Sequence, residues 1–396
     1  MKKLLALFLA VCISLSLSGC LFGKSIKNNP IFKDFDEAFE AKLEKIDDPF
    51  AEMYSTQFPK TAWDMQLFDN KIFIGAGDYA ENTGCVDLKY YDVKKDEMCF
   101  AGSVGSEQIC NFYLYDDAIY TVSIDPVEWG VGEYDKFKKG SDRFDIYAVL
   151  PQNVHTLDMI KFDNKYFFGG SVTDNNTSSN IMYIDEKNID SEQRSDTKDI
   201  WLYKHGKKLP ERECFRVYDL FEFKGKLYAW HLGAHSEDLY VYNKEKMRFD
   251  FCEDGKTVNP VTDQNKCKES YIFISHDFSF ADHYCFINQG MKYTDDLKKY
   301  KTVNVGKGYV IRDAIERDGY LYLLANKKIA DDKYQNAVFV TTDLEDFTKM
   351  CYFTTESYII SFEYCKGVLL FGEGGPEGTT QKSVGNIYKV NLKNRK

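Results

Sequence analysis

Seven times along the chain, two short strands of alternating apolar residues meet at a tight polar turn. No other feature restricts the fold as much. The first copy, WDMQLFDNKIFIGAGD at residues 63–78, brackets Asp69-Asn70-Lys71 and leaves through glycines. Alternation around an Asp/Asn turn predicts a β-hairpin, because successive strand side chains point to opposite faces and these residues tolerate the turn's left-handed backbone. The pattern returns as CNFYLYDDAIYTVS, LDMIKFDNKYFFGGS, YDLFEFKGKLYAWH, HDFSFADHYCFIN, RDAIERDGYLYLLA and IISFEYCKGVLLFG.

Aligned on the residue before each turn, the copies mark Phe68, Tyr115, Phe162, Phe223, Ala281, Arg317 and Tyr364, at intervals of 47, 47, 61, 58, 36 and 47. Periods of roughly 40–50 residues, each built of several short strands, predict an all-β fold, a β-propeller, since one small sheet cannot bury both faces and a ring of sheets can. Seven four-stranded blades are expected, with six as the alternative. Third strands follow the hairpins (VDLKYYD, DLYVYN, NAVFVTTD, GNIYKVN), then fourth strands (MCFAG, MRFDFC, MCYF), but the last copy ends without a fourth. Met53-Tyr54-Ser55-Thr56 precedes Trp63 much as residues 350–355 precede Ile359, so the N-terminal segment is expected to supply the missing outer strand and remove an exposed edge. The charged stretch 186–199 reads as an insertion in a turn.

Ahead of the repeats, Lys2-Lys3 and the apolar run 4–16 form a signal-like start too short to span a bilayer as a mature helix. It ends in Leu17-Ser18-Gly19-Cys20, which resembles the lipobox of bacterial lipoproteins. The resemblance implies cleavage before Cys20, acylation of its thiol, and a location on the extracytoplasmic face of the cell membrane with the lipid as anchor. The expected organisation is a signal peptide at 1–19, a tether at 20–50 and a propeller at 51–396. Within the tether, Phe32, Phe35, Phe39, Leu43 and Ile46 fall at helical spacing, predicting a short amphipathic helix against the body.

Cleavage would remove two lysines and no acid, taking the formal charge from −11 to −13. That excess of acid argues against nucleic-acid partners and direct docking on anionic headgroups. Nine cysteines follow Cys20, none at metal-ligand spacing, and Cys99, Cys252 and Cys351 recur at one blade position, too far apart to pair around a ring. Free, small, apolar thiols are expected. His231 and His235 lie four apart, but in a loop, where that spacing lacks the geometry of a zinc-binding helix.

Two turns, Tyr293-Thr294-Asp295-Asp296-Leu297 and Thr341-Thr342-Asp343-Leu344-Glu345-Asp346-Phe347, resemble degenerate Asp-box turns of sialidase-like propellers, with Tyr300 and Phe347 where a Trp is usual and the Gly missing. The whole chain looks similar to sialidase-like and kelch-like propellers. In that superfamily the Asp box is a structural turn, so the resemblance implies fold and not chemistry. A sialidase would need three arginines gripping a carboxylate, and only Arg312 stands at a repeat position near the expected funnel.

One constellation recurs with the blades. Four residues before each marker stand Asp64, Asn111, Asp158, Asp219, Asp277, Asp313 and Ile360. On innermost strands this register predicts a ring of carboxylates around the central channel. The ring can brace the blades by accepting backbone hydrogen bonds, or bind a cation such as Ca2+ or a polyhydroxylated ligand. Asp158, Asp277 and Asp313 are the ligand-binding candidates, because His155, His276 and Arg312 stand beside them; Asp64, Asn111 and Asp219 are the structural candidates. The loops 78–84, 125–130, 173–180, 232–238, 326–336 and 373–385 open on the same rim. The functions expected are binding of a glycan or protein ligand at this loop-rich face, glycoside chemistry by a carboxylate pair, or a structural role in an envelope complex. No cofactor is implied.

Overall fold

All seven hairpins form; six of their turns contain two residues with left-handed backbone, and the second has one, Asp116. Asp69 and Asn70 have φ of 47° and 65°, Asp163 and Asn164 49° and 57°, and Ala281 and Asp282 49° and 65°. Such paired positive φ values match the twist of the strands they join. The computed structural model describes residues 29–394 except 34, 79–82, 127–130, 152, 173–179, 210–215, 233–236, 253–275, 289 and 377. Cys20 and the signal-like segment therefore lie outside the described residues, as does His235.

The hairpins build a ring of seven four-stranded sheets. Blade 1 comprises Met65–Phe68, Lys71–Ile74, Val86–Asp92 and Glu97–Val104, each antiparallel to the next. Blades 2 to 6 repeat it, starting from Tyr113–Tyr115, Asn153–Phe162, Arg216–Phe223, His276–Phe280 and Val310–Arg317. Blade 7 contains Ile359–Cys365, Val368–Glu373 and Ile387–Asn391 and takes its outer strand, Glu44–Asp47, from the N-terminal segment.

The closing strand is thus earlier than residues 53–56, which lie in turns. The amphipathic helix does not form either. Phe39–Glu40 runs parallel to the outer strand of blade 6, with Phe39 opposite Cys351, and Glu44–Asp47 then crosses to blade 7. Phe32 is fully buried and Phe35 stacks on Phe39 with ring centroids 4.5 Å apart. Pairing with two open sheet edges satisfies backbone groups that a helix would have satisfied internally, and it buries the same aromatic side chains. The folded body consequently includes residues assigned to the tether.

The apolar cores lie between neighbouring blades. One groups Ile72, Phe73 and Tyr90 of blade 1 with Ile119, Phe137 and Phe144 of blade 2. Another groups Tyr322, Val338 and Phe353 of blade 6 with Phe362, Phe371 and Val390 of blade 7, and with Ile31 and Phe32. In blades 5 and 6 the two Thr/Asp turns share one geometry. Leu297 N and Leu344 N donate to Thr294 Oγ1 and Thr341 Oγ1 at 3.0 Å, while Asp296 and Asp343 each accept two further backbone N–H groups at 2.8–2.9 Å. The insertion at 186–199 folds back on blade 2, where Asp190 pairs with Lys136 at 2.7 Å. The described cysteines, Cys85, Cys99, Cys110, Cys252, Cys285, Cys351 and Cys365, are free.

Candidate functional site

The carboxylate ring is part of the wall between blades. Asp64 Oδ2 accepts the backbone N–H of Phe112 at 2.8 Å, Asp158 Oδ2 that of Leu220 at 2.5 Å, and Asp313 Oδ2 that of Phe362 at 2.8 Å. Each bond reaches from one innermost strand to the next. Asp158 and Asp313 also accept their own following N–H, from Met159 and Ala314. A backbone bulge precedes the carboxylate in blades 3, 4 and 6, re-aiming it toward the seam. Across the seam from blade 4 to blade 5, Tyr284 donates to Asp219 at 3.1 Å. Ser361 and Glu363 close the ring, the first donating to Ala62 O at 2.6 Å and the second accepting Leu67 N–H at 3.0 Å.

Two registers therefore shift from the expected ones. Phe280 pairs with His283 and Cys365 with Val368, so these two residues flank the turns of blades 5 and 7. The ring position is then His276 in blade 5 and Ser361 in blade 7. Asp277 sits one residue further along, yet shares a hydrogen bond with Asp219. Burial pushes Asp219 up to about 7. Burial and neighbouring carboxylates hold Asp158 and Asp277 well above the ordinary range.

Asp158 and Asp313 are 6% and 3% exposed, so the expectation that they face an open funnel fails. Their supposed companions go elsewhere. His155 Nδ1 lies 2.6 Å from Asp125, and Arg312 sits over the ring of Tyr358 at 4.5 Å with Nε donating to Asn326. The side chain of His276 lies outside the described residues. His231 is on a strand, 1% exposed, with burial lowering it to about 4. Among the described residues no three His, Cys, Asp or Glu side chains are grouped to hold a metal ion.

What converges is the mouth above blades 1 to 3. The segments entering and leaving the inner hairpins are stitched by single bridges from Gly77 to Gln108, Gln108 to Ile124, and Ile124 to His155. Asp78 N–H donates to Glu107 O at 2.9 Å and Glu107 N–H to Ile124 O at 3.0 Å. Gly77 permits this approach. Its φ is 103°, and a Cβ there would meet Glu107 O at 2.2 Å. The crossing carries Asp78, Glu107, Asp125 and His155 to one rim. Burial, then Asp125, then Asp78 push Glu107 up to about 7. Near neutral pH the rim offers one carboxyl that gains or loses a proton, beside an Asp–His pair. Asp125 falls in a loop the sequence had marked, whereas Glu107 carried no repeat signal.

No family model matches the chain, and no curated protein matches it. Among solved structures it is similar to the extracellular domain of a hybrid two component system from B. thetaiotaomicron, with a TM-score of 0.51 and 7% identity over 89% of this chain and 42% of that one. A lower TM-score of 0.46 relates it to the β-propeller domain of the trilobed protease from Pyrococcus furiosus, at 8% identity over 85% and 96% of the two chains. The first likeness supports the fold alone.

Proposed function

We propose that this chain is an extracytoplasmic lipoprotein, tethered through acylated Cys20, whose propeller binds a glycan or protein ligand at its loop-rich face. The observation that carries the reading is the convergence of Asp78, Glu107, Asp125 and His155 at the mouth of blades 1 to 3. Asp78 is 2% exposed and acts on the cluster through its charge, so the acceptors offered are those of Glu107 and Asp125, which suit ligand hydroxyl and ammonium donors. The ring carboxylates, committed to backbone N–H groups, have little left to offer a ligand.

The test is retention of the purified propeller on an array of bacterial and host glycans and basic peptides. The Glu107→Gln/Asp125→Asn variant is expected to lose at least tenfold in retention while keeping its melting temperature. Retention equal to that of the parent would refute the assignment. Anchoring has a separate test: Cys20→Ala should move the protein from the membrane fraction to the soluble fraction or leave it unprocessed, and unchanged membrane retention would count against the lipid.

A second reading, glycoside hydrolysis, is favoured by the unequal carboxyls. Glu107 keeps its proton up to about 7 beside Asp125, the division of labour between an acid and a base or nucleophile. Turnover of fluorogenic glycosides by the parent but not by Glu107→Gln would select it.

A further inference from the structure

The outer strand of blade 5 is cut short, and a second cleft opens beside it. That strand is Lys301–Thr302, two residues, where the outer strands of blades 1 and 6 have eight. Val303 N–H adds one bond to Met291 O at 2.9 Å, and residues 304–309 then run irregularly into blade 6. Gly306 and Gly308, with φ of 138° and 78°, make the bends. The space left on the flank between blades 5 and 6 has a volume of about 840 Å³, within the roughly 300–1,000 Å³ of small-molecule sites. Thr302, Asn304, Lys307, Tyr309 and Phe347 are on its lining.

Three lysines gather around this cleft. Lys307 is on the lining, and the ammonium groups of Lys327 and Lys349 stand over the Tyr309 ring at 4.7 and 5.5 Å. That ring is held in place, because Tyr309 Oη donates to Gln335 Oε1 at 2.8 Å and Phe339 meets it edge-on at 5.3 Å. Among the described residues no carboxylate pairs with any of the three, whereas Lys328, next along the strand, pairs with Asp331 at 3.1 Å. Asp343, in the turn before Phe347, is occupied by the backbone N–H groups of Glu345 and Asp346 at 2.9 Å. On a chain of formal charge −11, three uncompensated cations around one cleft make a local positive field. All of it can be reached from solvent: Lys307 is exposed, and Lys327, Lys349, Tyr309 and Phe347 are half-buried.

The lining narrows the ligand. The field calls for an anion, and the ammonium groups would give it charge-assisted hydrogen bonds. No described ring packs against Phe347, so its face is open to a C–H surface. The Thr302 hydroxyl and the Asn304 carboxamide add hydrogen-bonding groups suited to ligand hydroxyls. None of the strongly exposed apolar side chains lines the cleft, so it lacks a rim that inserts into a bilayer. We propose that this cleft binds an acidic saccharide chain, with Lys307, Lys327 and Lys349 at its carboxylate or sulfate groups and Phe347 along one sugar ring. The site is independent of the acidic mouth, which has the opposite charge and lies on other blades.

The experiment is calorimetric titration of the full-length protein with tetragalacturonate, a sulfated maltotetraose and neutral maltotetraose, at about 50 and 300 mM salt. At least one acidic probe is expected to bind with a Kd below roughly 1 mM, at least tenfold tighter than the neutral one, and to weaken at the higher salt. The tighter of the two identifies the acid group. Lys327→Gln/Lys349→Gln should weaken that binding on the order of tenfold, and Lys307→Gln, on an exposed loop that bears no fold, about threefold. Lys246→Gln, an exposed lysine of blade 4, should leave it unchanged. Equal affinity for the neutral probe, lysine variants that bind like the parent, or a loss of the same size in Lys246→Gln would overturn the proposal. Binding to phosphatidylglycerol vesicles by a protein that ignores both acidic probes would put a lipid in place of the sugar and overturn it as well.

Discussion

A chain beginning at residue 50 is expected to lose roughly 5 kcal/mol or more of stability and to melt at least about 6 °C below a chain beginning at residue 29. Two losses add up. Ile31 and Phe32, 4% and 0% exposed, leave the core between blades 6 and 7, and full burial of such side chains is worth about 1.5–3 kcal/mol each. Strand Glu44–Asp47 also goes, exposing the edge of Ile387–Asn391 and unpairing Lys389 from Glu44. The hydrogen bond from Tyr322 to Asn29 Oδ1, 3.0 Å long, disappears from a buried site. Thermal unfolding of the two truncations, followed by circular dichroism, decides the matter. Equal melting temperatures would mean that blade 7 closes without its borrowed strand.

Stability should fall as pH rises from about 5 to 8, and Glu373 should account for a large share of the fall. This glutamate is fully buried in blade 7, and burial pushes it up to about 8 from an ordinary 4.5. In the unfolded chain the carboxyl ionises near 4.5. Between these values the folded state holds a proton that the unfolded state has released, so raising the pH favours unfolding. The contribution is complete below about 4.5 and gone above about 8, and a shift of this size corresponds to about 5 kcal/mol. Asp219, pushed up to about 7, acts in the same sense over a slightly lower window. Glu373→Gln keeps an acceptor for Tyr388 and removes the titration. The variant should match the parent at pH 5 and be the more stable protein at pH 8.5. Urea denaturation at both pH values measures it, and parallel profiles for the two proteins would show that Glu373 ionises freely.

The fold was legible because its signals are local. Alternation around Asp69-Asn70 and Asp163-Asn164 specifies a hairpin without reference to the rest of the chain, and seven copies leave a ring of sheets as the way to bury their faces. The errors came where local pattern is degenerate. Phe32, Phe35 and Phe39 have helical spacing, yet their aromatic faces are buried as well by a segment pairing with blades 6 and 7, and only the open edge of blade 7 decides between the two. In blade 5 the turn is Ala281-Asp282, one residue before the position set by taking Ala281 as the last strand residue, so Asp277 was set in the ring register that His276 occupies. The candidate site was less legible still. Which way Asp158 points depends on the bulge before it, and the meeting of Asp78, Glu107 and Asp125 depends on three chain crossings. Neither leaves a periodic trace.

The division between architecture and binding is tested most directly by the pH profile of ligand retention. On the glycan and peptide array, retention by the parent should rise between pH 5.5 and 8 with a midpoint near 7, as Glu107 ionises and becomes a stronger acceptor. Glu107→Gln should give a low, flat profile at an unchanged melting temperature. Asp158→Ala, which strands the N–H groups of Leu220 and Met159, should lower the melting temperature and keep the rise with pH in whatever fraction remains folded. A flat profile for the parent, or a Glu107→Gln profile that overlays it, would contradict the placement of the ligand at the acidic mouth.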